Sequence, residues 1–169
     1  MKTILLLLFG LIFILSCNQT KNISTEEITK IETDINNLLD NWHIAAAEAD
    51  FDNYFSLMDS VSYFIGTDAS EHWTKQEFIE FSKPYFDKGK AWDFKPIERN
   101  IFVGKSAEIV WFDELLDTWM GVCRGSGVMA KSNGKWKLQH YVLSMTIANE
   151  DINAVLEVKN KVLLRINKN

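Results

Sequence analysis

Apolar residues recur in the first third of the chain at alternating steps of three and four: Ile28, Ile31, Ile35, Leu38, Trp42, Ala45 and Ala49. That spacing predicts one helical face over roughly six turns, about 36 Å long. Ser24, with Glu27 three residues on, supplies a capping box at its start. The stripe shrinks from bulky to small at Ala45, Ala46 and Ala47, where a neighbour can pack closely. Asp50 can cap a short second helix through Met58, with Phe51, Tyr54, Phe55 and Met58 on one side. Val61 to Ile65 reads as a strand, broken by the turn chemistry of Gly66, Thr67, Asp68, Ala69 and Ser70. A second capping box, Thr74 with Glu77, opens a helix carrying Phe78, Phe81 and Tyr85. Pro84 should kink or end that helix, and Gly89 should stop it.

The period then changes from helical to two. Trp92 to Val103 is strand-like, and Pro96 within it favours an edge or a bulge. Gly104, Lys105 and Ser106 turn the chain into Ala107 to Ile147, which reads as three strands with tight connections. Asn133-Gly134 is a strong hairpin signal, and a two-residue turn there sets a register. Ser132 then faces Lys135, Met129 faces Leu138, Gly127 faces His140, Gly125 faces Val142 and Cys123 faces Ser144. On that register Gly125 and Gly127 leave space beside His140. A three-residue turn would shift the pairing by one. Alternation sends Trp111 and Asp113 to one face of their strand and Phe112 and Glu114 to the other. Of the two carboxylates, Asp113 beside Trp111 is assigned inward. Beyond Asn149 a helical face returns, with Ile152, Val155, Leu156, Val162, Leu163 and Ile166.

The N-terminus has a different character. Met1-Lys2-Thr3 precedes an apolar run of 12 residues from Ile4 to Leu15, the length of a signal-peptide core and too short to span a bilayer comfortably. It ends in Leu15-Ser16-Cys17, which resembles the bacterial lipobox. Residues 1–16 are therefore expected to be a signal peptide and Cys17 the lipidated N-terminus. Residues 17–23 would be a tether, 24–149 one domain, and 150–169 a C-terminal helix. The expected location is the bacterial cell envelope, with the protein held at the membrane through Cys17. Cys123 would then be alone, so no disulfide is expected. The formal net charge is -5, with nothing basic clustered, so no nucleic-acid partner is expected. His43, His72 and His140 are scattered without ligand spacing, so no metal site and no cofactor is implied.

The element order, with the segment Arg124-Gly125-Ser126 and the run Trp136 to Tyr141 before Ser144, resembles the nuclear transport factor 2-like superfamily. Within it, the SnoaL-like and ketosteroid-isomerase-like branch is most similar. The resemblance implies an α+β cone: a strongly bent antiparallel sheet wrapped around N-terminal helices, with a pocket at the open end. The C-terminal helix is an addition to that plan. The chain departs from the isomerase pattern, because Tyr63, Phe64 and Ile65 stand where an acidic general base is placed near the end of the first strand. Val142 stands where many relatives carry histidine.

Candidate chemistry follows from what the cone would bring together. Asp68, on the loop after the first strand, could act as a base if an apolar mouth raised its pKa, and its alternative role is an Asx-turn. Asp113 and His140 are the other catalytic candidates, His140 having a core histidine as its alternative. Trp42, Trp73, Trp111, Gly127 and His140 form the expected ligand pocket. Arg124 could bind an anion or pair with Asp113, Glu114 or Asp117. Three functions remain open: a binder of a small apolar or amphipathic molecule, a carboxylate-dependent isomerase or hydrolase, and an assembly module using the outer sheet face, as in a homodimer.

Overall fold

The structure, a computed structural model, describes residues 23–166, and side chains through residue 160. The expected signal peptide, Cys17 and all but the last residue of the tether lie outside the described residues. Helix α1 spans Thr25–Ala47, and the Ser24 side chain accepts the Glu27 N–H at 3.1 Å, the N-cap half of the expected capping box. It buries Ile31, Ile35, Leu39, Trp42, His43, Ala45 and Ala46. Asp50 caps α2, Phe51–Leu57, by accepting the Asn53 N–H. The chain passes directly into strand β1, Met58–Ile65, three residues earlier than the β-branched pattern suggested. A strand the pattern did not reveal, β2 (His72–Thr74), pairs antiparallel with it.

Helix α3, Lys75–Phe86, starts at a complete Thr74/Glu77 capping box and contains Pro84. The proline removes one bond on the solvent side of the last turn, so the helix ends there without a break earlier on. Strand β3, Lys95–Val103, is the far edge of the sheet and slips register between Pro96 and Glu98. An edge is where a missing N–H is tolerated. Strands β4 (Ile109–Thr118), β5 (Gly121–Ser132) and β6 (Lys135–Met145) follow as a meander. The six-stranded sheet has the order β2-β1-β6-β5-β4-β3. All its pairs are antiparallel except β1 with β6, which run parallel, so the sheet is mixed.

The β5–β6 turn is the expected two-residue one, with Asn133 at φ 51° and Gly134 at φ 75°. Ser132 faces Lys135 and Met129 faces Leu138. Beyond that point a bulge at Gln139 shifts the register by one, so Val128 faces His140, Gly127 faces Tyr141 and Gly125 faces Leu143. The extra residue reverses which side chains of β6 point inward: Tyr141 and Leu143 are buried, whereas His140 and Val142 turn outward. Bulges of this kind bend a strand and strengthen its twist, which is how the sheet curls around α1.

The concave face holds one core. Trp42 stacks on Tyr54 at 4.8 Å and meets Tyr141 edge-on at 4.9 Å, and Phe64 stacks on Phe78 at 4.0 Å. Each such side chain, fully buried, stabilises the fold by about 1.5–3 kcal/mol. After a short turn at Asn149–Asp151 the chain ends in α4, Ile152–Ile166, with Ile152 and Leu156 exposed.

Candidate functional site

Two features inside the cone carry polar or aromatic chemistry. The first is a charged cluster in the core. Glu114 is fully buried on the concave face of β4, between Phe112 and Leu116. Its Oε1 accepts the Tyr141 hydroxyl at 2.8 Å and lies 2.9 Å from His43 Nε2. Its Oε2 accepts Arg99 Nε at 2.9 Å. Arg99 Nη2 is also 2.9 Å from Oε2, close enough to add charge attraction but off the line of a directed hydrogen bond. Arg99 Nη1 reaches α1, bonding Asn36 Oδ1 at 3.0 Å and Asp40 Oδ1 at 2.9 Å. One carboxylate thus joins α1, β3, β4 and β6.

Burial acts most strongly on Glu114 and raises its pKa. The hydrogen bond and charge of His43, the charge of Arg99 and the Tyr141 bond together outweigh it, and the pKa falls below the ordinary value. An ionised carboxylate only accepts, so His43 Nε2 carries the proton and donates. The same negative charge works against ionisation of Tyr141, whose pKa is raised well above normal by burial first and by Glu114 second. Both Glu114 oxygens are satisfied within the cluster, while the buried Arg99 Nη2 is held by charge attraction alone. A lowered folded-state pKa means that Glu114 contributes its full stability above the unfolded value of about 4.3 and loses it as pH falls through the folded value. Thermal unfolding followed by circular dichroism should therefore show a Tm that is flat from neutrality to about pH 5 and falls below about pH 4. A Tm that rose on acidification would contradict this account.

The second feature is a cleft at the open end of the sheet, with a volume of about 210 Å³. Phe64, Trp73, Phe81, Tyr85, Trp92 and Phe94 supply its aromatic walls, with Met120, Leu143 and Trp119 beside them. Trp73 stacks on Phe81 at 4.4 Å and on Phe78 at 5.6 Å, so the walls are parallel flat faces. Apart from the Tyr85 hydroxyl and the indole N–H groups, its polar side chains are Thr67 and Glu71 on the loop after β1. Glu71 Oε2 accepts the Asp68 N–H at 3.0 Å and lies over Gly66, where a Cβ would come within 2.2 Å of it. Glycine at 66 lets that carboxylate fold down against the loop.

The residues named from sequence separate across these features. Trp73 lines the cleft. Trp42 is in the core, next to His43. Trp111 is half exposed on the outer face and stacks on Phe102 at 6.0 Å. The alternation of β4 runs in the phase opposite to the one assigned: Val110, Phe112, Glu114 and Leu116 are inside, and Trp111 and Asp113 outside. His140 is on the outer face too, opposite Tyr63 and Val128. Gly127 does face inward, but the space is filled, since an added Cβ would come within 2.7 Å of Phe112 Cζ and of the His140 carbonyl oxygen. Arg124 Nη1 pairs with Asp113 Oδ1 at 3.3 Å on the outer face. Asp68 forms an Asx-turn, accepting the Ser70 hydroxyl at 2.6 Å and the Ser70 N–H at 2.9 Å, and those bonds lower its pKa. Among the described residues no group of three or more His, Cys, Asp or Glu side chains is placed to hold a metal.

From sequence, Glu114 is weighed against Asp113 and turned outward, and His43 and Arg99 are not among the candidate site residues. The signal for Glu114 was the apolar series Val110, Phe112, Leu116, in which it is the only charge. The other series on that strand carries two aspartates and suits the solvent side.

A curled six-stranded sheet folded around a long N-terminal helix, with an aromatic cleft at its open end, defines an NTF2-like α+β protein. The chain belongs to the SnoaL-like domain family, whose pattern it matches over residues 35–148. No curated protein matches the sequence. Among solved structures, an NTF2-like protein from Pseudomonas putida is similar, with 14% identity and a TM-score of 0.60, over 72% of this chain and 91% of that one. The association domain of C. elegans CaMKII has 19% identity and a TM-score of 0.59, over 72% of this chain and all of that one (100%). An NTF2-like protein from Cytophaga hutchinsonii has 16% identity and a TM-score of 0.57, over 73% of this chain and 100% of that one. At these identities the likeness concerns the fold.

Proposed function

We propose that this SnoaL-like domain binds a small, flat apolar molecule in the aromatic cleft, and that the protein is a cell-envelope lipoprotein anchored through Cys17. The observation that carries the binding reading is the stacked wall of Trp73 and Phe81 facing an open, largely apolar space. Its volume is below the usual range of about 300–1,000 Å³ for drug-sized sites, which points to one or two rings or a short chain. A catalytic reading needs an acid or base of shifted pKa facing that space. The buried carboxylate has its pKa lowered, and it spends both oxygens on Tyr141, His43 and Arg99 within the core. Binding without chemistry is therefore favoured.

The test is a titration with an apolar fluorescent probe such as anilinonaphthalene sulfonate. Saturable binding to the folded protein is expected, and Phe81→Ala should weaken it roughly tenfold by removing one stacked face. Phe81 is exposed enough that its loss should leave Tm nearly unchanged. Non-saturable binding, or an undiminished affinity in both Phe81→Ala and Trp73→Ala, would remove the cleft from consideration.

A second reading is supported by the outer face. Phe102, Trp111, Val128, His140 and Tyr63 form one row across five strands. Phe102, Trp111 and Tyr63 are 45%, 49% and 39% exposed, an unusual amount of aromatic surface for a free sheet. A second copy related by a twofold axis would cover it with the same row. The CaMKII association domain, similar in fold, is a protein named for association. Sedimentation should give a dimer that Trp111→Lys dissociates, and a monomer in both proteins would dismiss this role.

A further inference from the structure

The C-terminal helix leaves the domain at the end where the cleft opens. Leu143 lines the cleft, and the Thr146 N–H bonds to the Val122 carbonyl, close to the β4–β5 turn that carries Trp119. Exposed apolar groups stand there: Phe81, Tyr85 and Trp119 at the cleft and Ile147 at the exit, followed by Ile152 and Leu156 on the helix. Trp119 is 83% exposed, with its large indole in open solvent. Helix α4 contacts the turn before it, and of the apolar side chains described on it Ile152 and Leu156 are exposed and Val155 is half-buried.

The charge of this segment is opposite to that of the rest. Residues 152–169 contain Lys159, Lys161, Arg165 and Lys168 against Glu157, a net of 4 − 1 = +3, while the whole chain is -5. The other residues therefore sum to -5 − 3 = -8. A basic helix with an apolar side suits the boundary between acidic headgroups and acyl chains, where both halves are satisfied together. Tryptophan and tyrosine favour the same depth, with the ring in the apolar layer and the N–H or O–H at the headgroups.

We propose that this end of the molecule docks on an anionic lipid surface, with α4 lying in the interface and the mouth of the cleft turned toward the bilayer. Basic residues contribute through their attraction to acidic lipids and the exposed apolar groups through burial. The proposal stands on the helix and the rim, so it holds whether or not the cleft takes a ligand. It also makes a contact separate from any lipid on Cys17.

The test places an environment-sensitive nitrobenzoxadiazole dye on the full chain, at Leu156→Cys in one sample and at Glu157→Cys in another, both with Cys17→Ser. Cys123 is fully buried and should not take the dye. Both labelled positions are exposed, so neither substitution should disturb the fold. Adjacent positions lie about 100° apart around a helix, so one reports the apolar side and the other the polar side. With phosphatidylcholine vesicles containing about one quarter phosphatidylglycerol, emission at 156 should rise several-fold and shift to the blue, and emission at 157 should change little. The N-terminal apolar run is common to both samples, so its contribution cancels in the comparison. Vesicles of phosphatidylcholine alone should bind the labelled helix roughly a hundredfold more weakly. Equal responses at the two positions, no response to the acidic vesicles, or an equal response to neutral ones would each overturn the proposal. A response that grows with protein concentration in the absence of vesicles would place a second copy on the helix and overturn it as well.

Discussion

Glu114→Ala is expected to remove about 3–5 kcal/mol of folding stability, the usual consequence of breaking a buried ion pair from one side. Arg99 would keep its charge in a site where its side chain is only 5% exposed. His43 and Tyr141 would each lose the acceptor that Glu114 Oε1 provides. Total stability of a domain this size is about 5–15 kcal/mol, so the variant should show a large loss in urea midpoint. The ion cluster itself need not contribute that much. Removing its charges together, as Glu114→Leu with Arg99→Met, His43→Leu and Tyr141→Phe, should recover most of the loss, because well-packed apolar groups replace buried charges at little net cost. What the combined variant gives up is the directional tie between α1 and the sheet. A Glu114→Ala protein that unfolded within about 1 kcal/mol of the parent would show that the carboxylate does not hold α1 in place.

How far such a cluster can be read in advance depends on which physical signal each part leaves in the chain. Helices α1 and α3 were legible because capping residues and apolar spacing act locally, within a few residues of one another. Thr74 with Glu77 forms the full capping box the pattern implies, and Ser24 forms its N-cap half with Glu27. The Asn133-Gly134 turn was legible for the same reason, since both positions need positive φ. The bulge at Gln139 leaves no such mark. It depends on how β6 bends between β5 and β1, and a polar residue there is compatible with either phase. Once it is present, His140 faces outward and Tyr141 inward, and a pocket drawn around His140 dissolves. The phase of β4 was readable and was misjudged. Trp111 invited an inward assignment by its size, yet its row also holds Asp113 and Asp117, and two carboxylates outweigh one indole. Of the residues expected to line a pocket only Trp73 lines the cleft, because its other walls come from β1, α3, the loop before β3, the β4–β5 turn and β6, which no periodicity brings together.

Gly125→Ala should cost about 2–4 kcal/mol, from overpacking and a lost charged hydrogen bond together. The mechanism is local and specific. A Cβ at position 125 would sit 2.1 Å from Tyr141 Oη, 2.8 Å from its Cζ and 3.0 Å from Glu114 Cγ. Tyr141 is buried at 1% exposure between Trp42, Phe64 and Phe112, so the ring has little room to retreat. The hydroxyl must leave Glu114, or β5 must move away from β6. Sheet curvature gives a competing reason for a glycine there, and the two reasons predict different couplings. If the clash with the hydroxyl dominates, Tyr141→Phe removes the offending atom, and the Gly125→Ala, Tyr141→Phe double variant should be less destabilised than the sum of the singles by about 1–2 kcal/mol. The relief is partial, because the ring carbon at 2.8 Å must still give by several tenths of an ångström. If glycine is needed for curvature, the strain resides in the backbone and the two losses should add. Urea denaturation of the four proteins, followed by tryptophan emission, separates these outcomes. Strict additivity would mean that Gly125 serves the bend of β5, and that the approach of Tyr141 to its carboxylate follows from that bend.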